Sequence, residues 1–350
     1  MDSFNYYTTL ADVWGLYSGN VDATAWIAGG GGRFGGNCLH TEEVTGVSDG
    51  TAFYTRAGLA SSATYIAGFA FKLESSSLNV NCLSSIFLFL EGSTPHVDVR
   101  LNTSLIPYVT RAGTTLATAL NAIALDIWHF FEIKVVIDSS AGSVELRIDG
   151  TTVCSASGVN TKNGGSGLIN AVGIGHGSTN GNSSFGRGGV RNDFCDLYVC
   201  TGDSLGACNF LGDCRVECLL PTGAGAETQW APLSGANYTN VNDNPPNGDT
   251  SYNKSNTVGQ VDTYAMADLA SATGVIYGAQ YRHYVRKDNA GTRLVAPVAR
   301  IGGADYAGSD TSLGSAYAYT REIKEKSPAT SAAWTISEVN AMEYGIKVTG

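Results

Sequence analysis

The segment that most constrains the fold is the run DIWHFFEIKVVIDSSAGSVELRIDG, at residues 126–150. Alternate positions from 129 to 137 are apolar or aromatic, whereas Glu132 and Lys134 fall on the opposite face of the same strand. After the turn residues DSSAG, a second stretch repeats this alternation and ends in an Asp-Gly pair. The sequence therefore predicts an antiparallel hairpin with one apolar and one charged face, which is typical of a β-sandwich.

This hairpin resembles the central hairpin of the laminin-G/concanavalin-A-like jelly rolls, in which a Trp opens the first strand and the second strand ends in Asp-Gly. The resemblance implies an all-β chain. Its first domain, residues 1–210, would be a jelly-roll sandwich, and its second, residues 211–350, a further β-rich domain. A jelly roll serves as lectin, glycosidase, adhesion module or virus appendage, so the fold alone does not define a function.

A second resemblance follows the hairpin. The segments RNDFCDLYVC and LGACNFLGDCRVECLLPTGAG are similar to a pattern of tailed-bacteriophage virion proteins, and later segments such as QWAPLSGANYTNVND and VRKDNAGT follow the same type of protein. This resemblance implies a non-enzymatic structural component of a virion (appendage, fibre, collar, neck or decoration protein). Such a protein acts by assembly with other virion proteins and with its own copies, and a trimer is expected by analogy.

The composition favours β-strands and argues against nucleic-acid and membrane partners. Only 15% of the 350 residues are charged and 44 are glycine, which leaves few strong helix formers. The net charge of −10 argues against nucleic acid, because phosphate binding needs clustered Lys and Arg. The start MDSFNYY lacks the features of a signal peptide, and runs such as IFLFL are too short for a membrane span, so we expect synthesis in a cytoplasm and no membrane partner.

The chain has an even number of cysteines, eight, which suggests disulfides that form after a particle is released from the cytoplasm. The alternative is that the cysteines stay reduced and serve as small hydrophobic residues. Connectivity is open, because eight cysteines allow about 105 pairings. The disulfide candidates are Cys38, Cys82, Cys154, Cys195, Cys200, Cys208, Cys214 and Cys218.

No motif carries a catalytic or cofactor site. The nucleophile-elbow pattern at 46–50 is followed by a strand-like segment where a helix is required. Glu132 and Glu145 suggest paired glycosidase carboxylates, but interleaved cations make an ion-pair face the better interpretation. No cofactor is expected. Asp193 and Asp196 are weak candidates for calcium ligands at the rim of a jelly roll, and His176 is expected in an exposed loop.

Two other functions remain open. A carbohydrate-binding module, at a phage tip or in a secreted lectin, would stack Trp14, Trp26 or Tyr54 on sugar rings, and its partner would be a host surface glycan. A jelly-roll glycosidase is the third hypothesis. Local patterns also favour an extended conformation over 114–125 and a single helical turn at 337–342.

Overall fold

The computed structural model describes residues 1–19, 23–43, 52–75, 84–177, 191–202 and 209–350. It divides the chain into two compact units, Met1–Val216 and Glu217–Gly350, whereas the sequence placed the boundary between 210 and 211. Strands make up 49% of the structure and helices 6%, so the predicted all-β class is confirmed. No helix within the described part of the chain is long and apolar enough to cross a membrane.

The first unit is a sandwich of two seven-stranded antiparallel sheets. Sheet A has the strand order β1-β4-β13-β6-β7-β8-β9, and sheet B has the order β12-β11-β10-β5-β14-β3-β2. A 3-10 helix, Leu10–Asp12, precedes the strands β1 (Gly15–Gly19), β2 (Ala23–Ala28), β3 (Cys38–Glu43), β4 (Ala52–Arg56), β5 (Thr64–Leu73), β6 (Ser84–Glu91), β7 (Thr94–Leu101), β8 (Pro107–Arg111), β9 (Thr114–Thr118), β10 (His129–Val136), β11 (Gly142–Ile148), β12 (Thr151–Val159), β13 (Ala171–Gly177) and β14 (Arg191–Thr201). This arrangement is the jelly-roll sandwich that the resemblance implied.

Aromatic rings fill the space between the two sheets. Phe69 of β5 stacks on Phe87 of β6, with ring centroids 5.0 Å apart, and so joins sheet B to sheet A. Phe131 and Phe194, from the strands on either side of β5, complete the cluster around Phe69 at 5.7 and 6.0 Å. All four rings are fully buried. Removing this apolar area from water stabilises the sandwich, since each buried Phe contributes about 1.5–3 kcal/mol.

The predicted hairpin forms as β10 and β11, with Ile133 opposite Leu146. Asp149 and Gly150 both adopt positive φ angles, 51° and 78°, as expected for a two-residue turn, and they connect β11 to β12. The segment 114–125, predicted to be extended, forms β9 only as far as Thr118. The next residues run as irregular chain toward β10.

The second unit is built on one antiparallel sheet of order β15-β18-β24-β20-β21, in which β22 also pairs with β20. Two ribbons, β16-β17 and β19-β23, accompany it. Its strands are β15 (Pro221–Thr228), β16 (Ala231–Pro232), β17 (Asn253–Lys254), β18 (Val261–Met266), β19 (Ala279–Val285), β20 (Leu294–Ile301), β21 (Ala304–Ala307), β22 (Thr311–Ser312), β23 (Ala318–Lys324) and β24 (Glu343–Val348), and its short helices are Asn237–Asn240, Gly248–Thr250 and α1 (Ile336–Ala341). The helix α1 is the turn predicted at 337–342, and the Thr335 hydroxyl caps it by accepting from the Glu338 N–H at 3.1 Å.

Candidate functional site

Five side chains form one row across neighbouring strands of sheet B. The strand register places Trp26 opposite His40, His40 opposite Asp193, and Asp193 opposite Lys72. Trp128 directly precedes β10 and falls opposite Lys72 when the same register is continued by one residue. The row, hereafter the Trp26–Trp128 row, spans about 19 Å, because neighbouring strands lie roughly 4.8 Å apart.

The row lies on the face of sheet B that points away from the core. Successive residues of a strand point to opposite faces. Phe194 directly follows Asp193, and Phe71 directly precedes Lys72. The rings of these two phenylalanines pack together in the core, with their centroids 5.2 Å apart. Asp193 and Lys72 therefore point outward, together with the residues opposite them.

Asp193 is the centre of the row. It is only 2% exposed, and both its carboxylate oxygens are engaged: His40 Nδ1 lies 2.5 Å from Oδ1, and Lys72 Nζ lies 2.7 Å from Oδ2. Burial alone would raise the pKa of Asp193, but the hydrogen bonds to His40 and Lys72 outweigh it and hold the pKa below its usual range. The same contact raises the pKa of Lys72 despite partial burial. Asp193 is thus a carboxylate, and Lys72 an ammonium, at neutral pH.

The ends of the row are aromatic. Trp26 is 40% exposed and its ring centroid lies 4.3 Å from that of His40. At the other end, Lys72 Nζ lies 5.3 Å from the centre of the half-buried Trp128 ring, within cation–π range. Among the described residues, His40 Nε2 is buried without a hydrogen-bond partner. The row therefore combines an exposed indole face with a histidine whose second nitrogen has no hydrogen-bond partner in the described part of the chain.

One group near the row has the composition of a metal site. His40, Glu74 and Asp193 bring ligand atoms within 4.8 Å of one another. The Lys72 ammonium already contacts the two carboxylates, at 3.4 Å from Glu74 and 2.7 Å from Asp193. Since the Lys72 ammonium already pairs with both carboxylates, the group is better described as an ion-pair cluster than as a metal centre.

The two aspartates considered for calcium have different surroundings. Asp193 belongs to the cluster above, whereas Asp196 lies 3.3 Å from Arg33 Nε and accepts a hydrogen bond from the Val216 N–H at 2.9 Å. Burial raises the pKa of Asp196, against the lowering effect of that hydrogen bond and of Arg33. Each carboxylate therefore has a cationic partner from the protein, and calcium binding stays a prediction.

A second polar row lies on the outer face of sheet A. Asp98 accepts a hydrogen bond from the Ser85 hydroxyl at 2.7 Å, and Arg100 lies with its guanidinium 5.9 Å from the Tyr108 ring centre. Asp98 and Arg100 are only 4% and 8% exposed. Because the Trp26–Trp128 row presents an exposed aromatic face and this one is enclosed, the row on sheet B is the better candidate for ligand contact.

Several residues singled out in the sequence lie elsewhere. Trp14 is 2% exposed and donates a hydrogen bond from Nε1 to Asp2 at 2.9 Å, so its predicted role in sugar stacking is wrong. Tyr54 is half-buried on β4 of sheet A. The elbow pattern at 46–50 lies outside the described residues.

The carboxylates considered for glycosidase chemistry are used in the fold. Glu132 is buried and accepts hydrogen bonds from the Tyr198 hydroxyl and the Gly212 N–H, at 2.5 and 2.8 Å. Glu145 pairs with Arg147 of its own strand at 2.8 Å. These two glutamates therefore do not form the paired catalytic carboxylates of a glycosidase.

The cysteines of the described part of the chain are in the thiol form: Cys38, Cys154, Cys195, Cys200, Cys214 and Cys218. Cys82 and Cys208 lie outside the described residues. Disulfide formation therefore stays a prediction.

No family model and no curated protein matches the sequence. Among solved structures, the chain is similar to the cellulose-induced protein Cip1, with 14% identity, 60% of this chain and 95% of that chain covered, and a TM-score of 0.42. It is also similar to the alginate lyase Aly36B in complex with alginate trisaccharide (13% identity, 57% and 96% covered, TM-score 0.41). A third similar structure is the alginate lyase from Klebsiella pneumoniae, with 10% identity, 53% of this chain and 86% of that chain covered, and a TM-score of 0.37.

These similarities correct two predictions. The similar structures named above are alginate lyases and a cellulose-induced protein, so the predicted function as a non-enzymatic virion component is contradicted. The prediction that the chain is not an enzyme is contradicted for the same reason. The resemblance to phage proteins, the location in a virion and the trimer are untested and stay predictions. At such low identities and TM-scores, the activity of this chain must be argued from its own residues.

Proposed function

We propose that the first unit recognises a polysaccharide and that the sugar chain lies along the Trp26–Trp128 row. The observation that carries this proposal is the 40% exposure of Trp26 at the end of a row whose centre is buried and charged. An indole face packs against the apolar face of a sugar ring, while charged and amide groups bind its hydroxyls. A row of about 19 Å, or four strand spacings, is longer than one sugar ring and suits an oligosaccharide segment.

The charges around the row favour a neutral glycan over a polyanionic one. The cations are Lys72 and Arg191, whereas Glu42, Glu74 and Asp193 supply three carboxylates that pair with them. The whole chain carries a net charge of −10 as well. A polymer with one carboxylate on each sugar would therefore be repelled, because this surface offers no excess of positive charge.

We expect Trp26→Ala to weaken polysaccharide binding at least tenfold, since loss of an aromatic residue that is a binding hot spot costs about 2 kcal/mol or more. Trp26→Phe keeps an aromatic face and should retain most of the affinity. Tyr277→Ala is a matched control, because Tyr277 is a similarly exposed aromatic residue (38%) in the second unit. Binding of the full chain would be measured on a glycan array and by co-sedimentation with neutral and uronate-containing polysaccharides. Unchanged binding by Trp26→Ala would contradict the proposal.

One observation favours a second candidate function, the cleavage of a uronate polysaccharide by β-elimination. Asp193 fixes the orientation of His40 through Nδ1, which leaves Nε2 as the nitrogen that can take up a proton. The Trp26 ring lies over His40, so this chemistry requires that the indole turn aside.

The second candidate predicts turnover of a uronate polysaccharide, detected by the ultraviolet absorbance of unsaturated sugar ends. His40→Ala should reduce the rate at least a hundredfold, in the range expected for loss of a general base. Circular dichroism of the variant would show that it is folded. Absence of turnover on alginate and other polyuronates would remove this candidate and leave the binding proposal intact.

A further inference from the structure

Two thiols face each other across strands β3 and β14 of the first unit. These strands pair in antiparallel register, and the pair Phe194 and Leu39 is followed directly by Cys195 and Cys38. Both cysteines are buried, at 4% and 0% exposure, and they belong to one apolar cluster on the outer face of sheet B. We propose that Cys38 and Cys195 form a disulfide that links β3 to β14.

The geometry favours this pair directly. Cys38 and Cys195 occupy directly opposite positions when the register of β3 and β14 is continued by one residue, and the Cys195 thiol has the largest influence on the pKa of Cys38, which it raises. Residues opposite each other on antiparallel strands have Cβ atoms about 4.5–5.5 Å apart, and a disulfide needs about 3.5–4.5 Å. A small approach of the two side chains is therefore enough to form the bond.

Two other pairings of Cys195 are less favourable. Cys200 lies on the same strand as Cys195, five residues further on, and strand geometry separates such residues by about 16 Å. Cys154 lies on β12 at the opposite edge of sheet B, with β11, β10 and β5 between it and β14. Neither residue can pair with Cys195 without displacement of a strand.

Formation of the bond removes two protons and two electrons from the thiols. A small-molecule disulfide such as oxidised glutathione accepts them in two exchange steps and is cleaved to two thiols. Each step needs a thiolate, whereas the contact with Cys195 and burial raise the pKa of Cys38 far above its usual value. The Gly31 backbone also covers Cys38, since a Cβ added to Gly31 would lie 2.9 Å from the Cys38 sulfur. The bond therefore forms during folding, before this part of the chain covers the thiols.

The test is to refold the full chain in a mixture of oxidised and reduced glutathione, block free thiols, digest without reduction and analyse the peptides by mass spectrometry. We expect a linked pair of peptides that contain Cys38 and Cys195, lighter by two hydrogen atoms than the separate peptides. Cys154→Ser should retain this linked pair, whereas Cys38→Ser and Cys195→Ser should each abolish it. Reduction should lower the melting temperature of the wild-type chain by on the order of 10 °C, because the link closes a long loop.

Two results on the wild-type chain would overturn the proposal, so it does not depend on the folding of any variant. One is alkylation of both Cys38 and Cys195 after oxidative refolding. The other is recovery of either cysteine in a linked peptide with a different cysteine. The outcome is also independent of whether the Trp26–Trp128 row binds a sugar.

Discussion

Phe69→Ala is expected to lower the free energy of unfolding of the first unit by about 3–5 kcal/mol, the range measured for removal of a buried Phe side chain. Phe69 is fully buried and its ring contacts Phe87 of the opposite sheet as well as Phe131 and Phe194 of its own sheet. Loss of the ring therefore removes contacts between the sheets and leaves a cavity that rigid strands cannot fill. Urea unfolding of the full chain would measure the change, and hydrogen exchange would assign it to the first unit.

The control is the same substitution at an exposed ring. Phe34 is 53% exposed and lies under the guanidinium groups of Arg33 and Arg215, at 4.6 and 4.5 Å. Phe34→Ala should cost only about 0.5–1 kcal/mol, as expected for an exposed cation–π contact. If Phe69→Ala proved no more destabilising than Phe34→Ala, the assignment of Phe69 to the centre of the sandwich would be wrong.

The fold could be predicted because its signals are local. Alternation with period two needs only the eight or so residues of one strand, and the Asp149-Gly150 turn needs only two. The strand pairs β10-β11 and β11-β12 follow directly from these signals. Polar and apolar residues also alternate over 214–220, yet this segment is irregular in the structure. Alternation favours an extended chain but does not by itself provide a partner strand.

The candidate site could be predicted only in part because its residues come from five separate strands or strand ends. The sequence indicated Trp26 as a sugar-stacking residue and Asp193 as a possible ligand, but for unrelated reasons. His40 and Lys72 gave no signal because each lies in an ordinary alternating stretch, and Trp128 was noted only as the residue that opens the predicted hairpin. Only the strand order β2-β3-β14-β5-β10 brings the five into one row. That order depends on long-range pairing, which local periodicity does not encode.

The position of His176 was predicted wrongly from its neighbours in the sequence. The glycine-rich stretch that follows it predicts an exposed loop, but the structure continues β13 to Gly177 and places His176 in the interior, fully buried. Its Nδ1 lies 3.5 Å from the Asn192 amide nitrogen of sheet B, so it contacts the opposite sheet. The prediction of an exposed histidine was wrong because β13 continues past Ile174 and still pairs with β4 at His176, although the sequence is already rich in glycine there.

One buried histidine, His176, and one partly buried histidine, His283, are expected to make both units less stable in mild acid. Burial lowers the pKa of His176 in the first unit to about 4, and that of His283 in the second unit to about 4. An unfolded chain binds protons at these residues near pH 6.5, so between pH 6.5 and 4 the unfolded state holds more protons than the folded state. Stability contributed by the neutral imidazole is therefore fully present above about pH 6.5 and is lost as the pH falls toward 4, by about 3 kcal/mol for each histidine.

Matched variants separate this effect from the protonation of carboxylates. His176→Gln keeps a polar side chain that does not titrate, so the difference in unfolding free energy between wild type and variant should shrink by about 3 kcal/mol from pH 7 to pH 4. His283→Gln should change the pH dependence of the second unit and leave that of the first unchanged. NMR titration of the folded chain should place the midpoint of His176 near pH 4. A constant difference in stability across this range would show that His176 is accessible to protons in the folded state, and its position between the sheets would then be wrong.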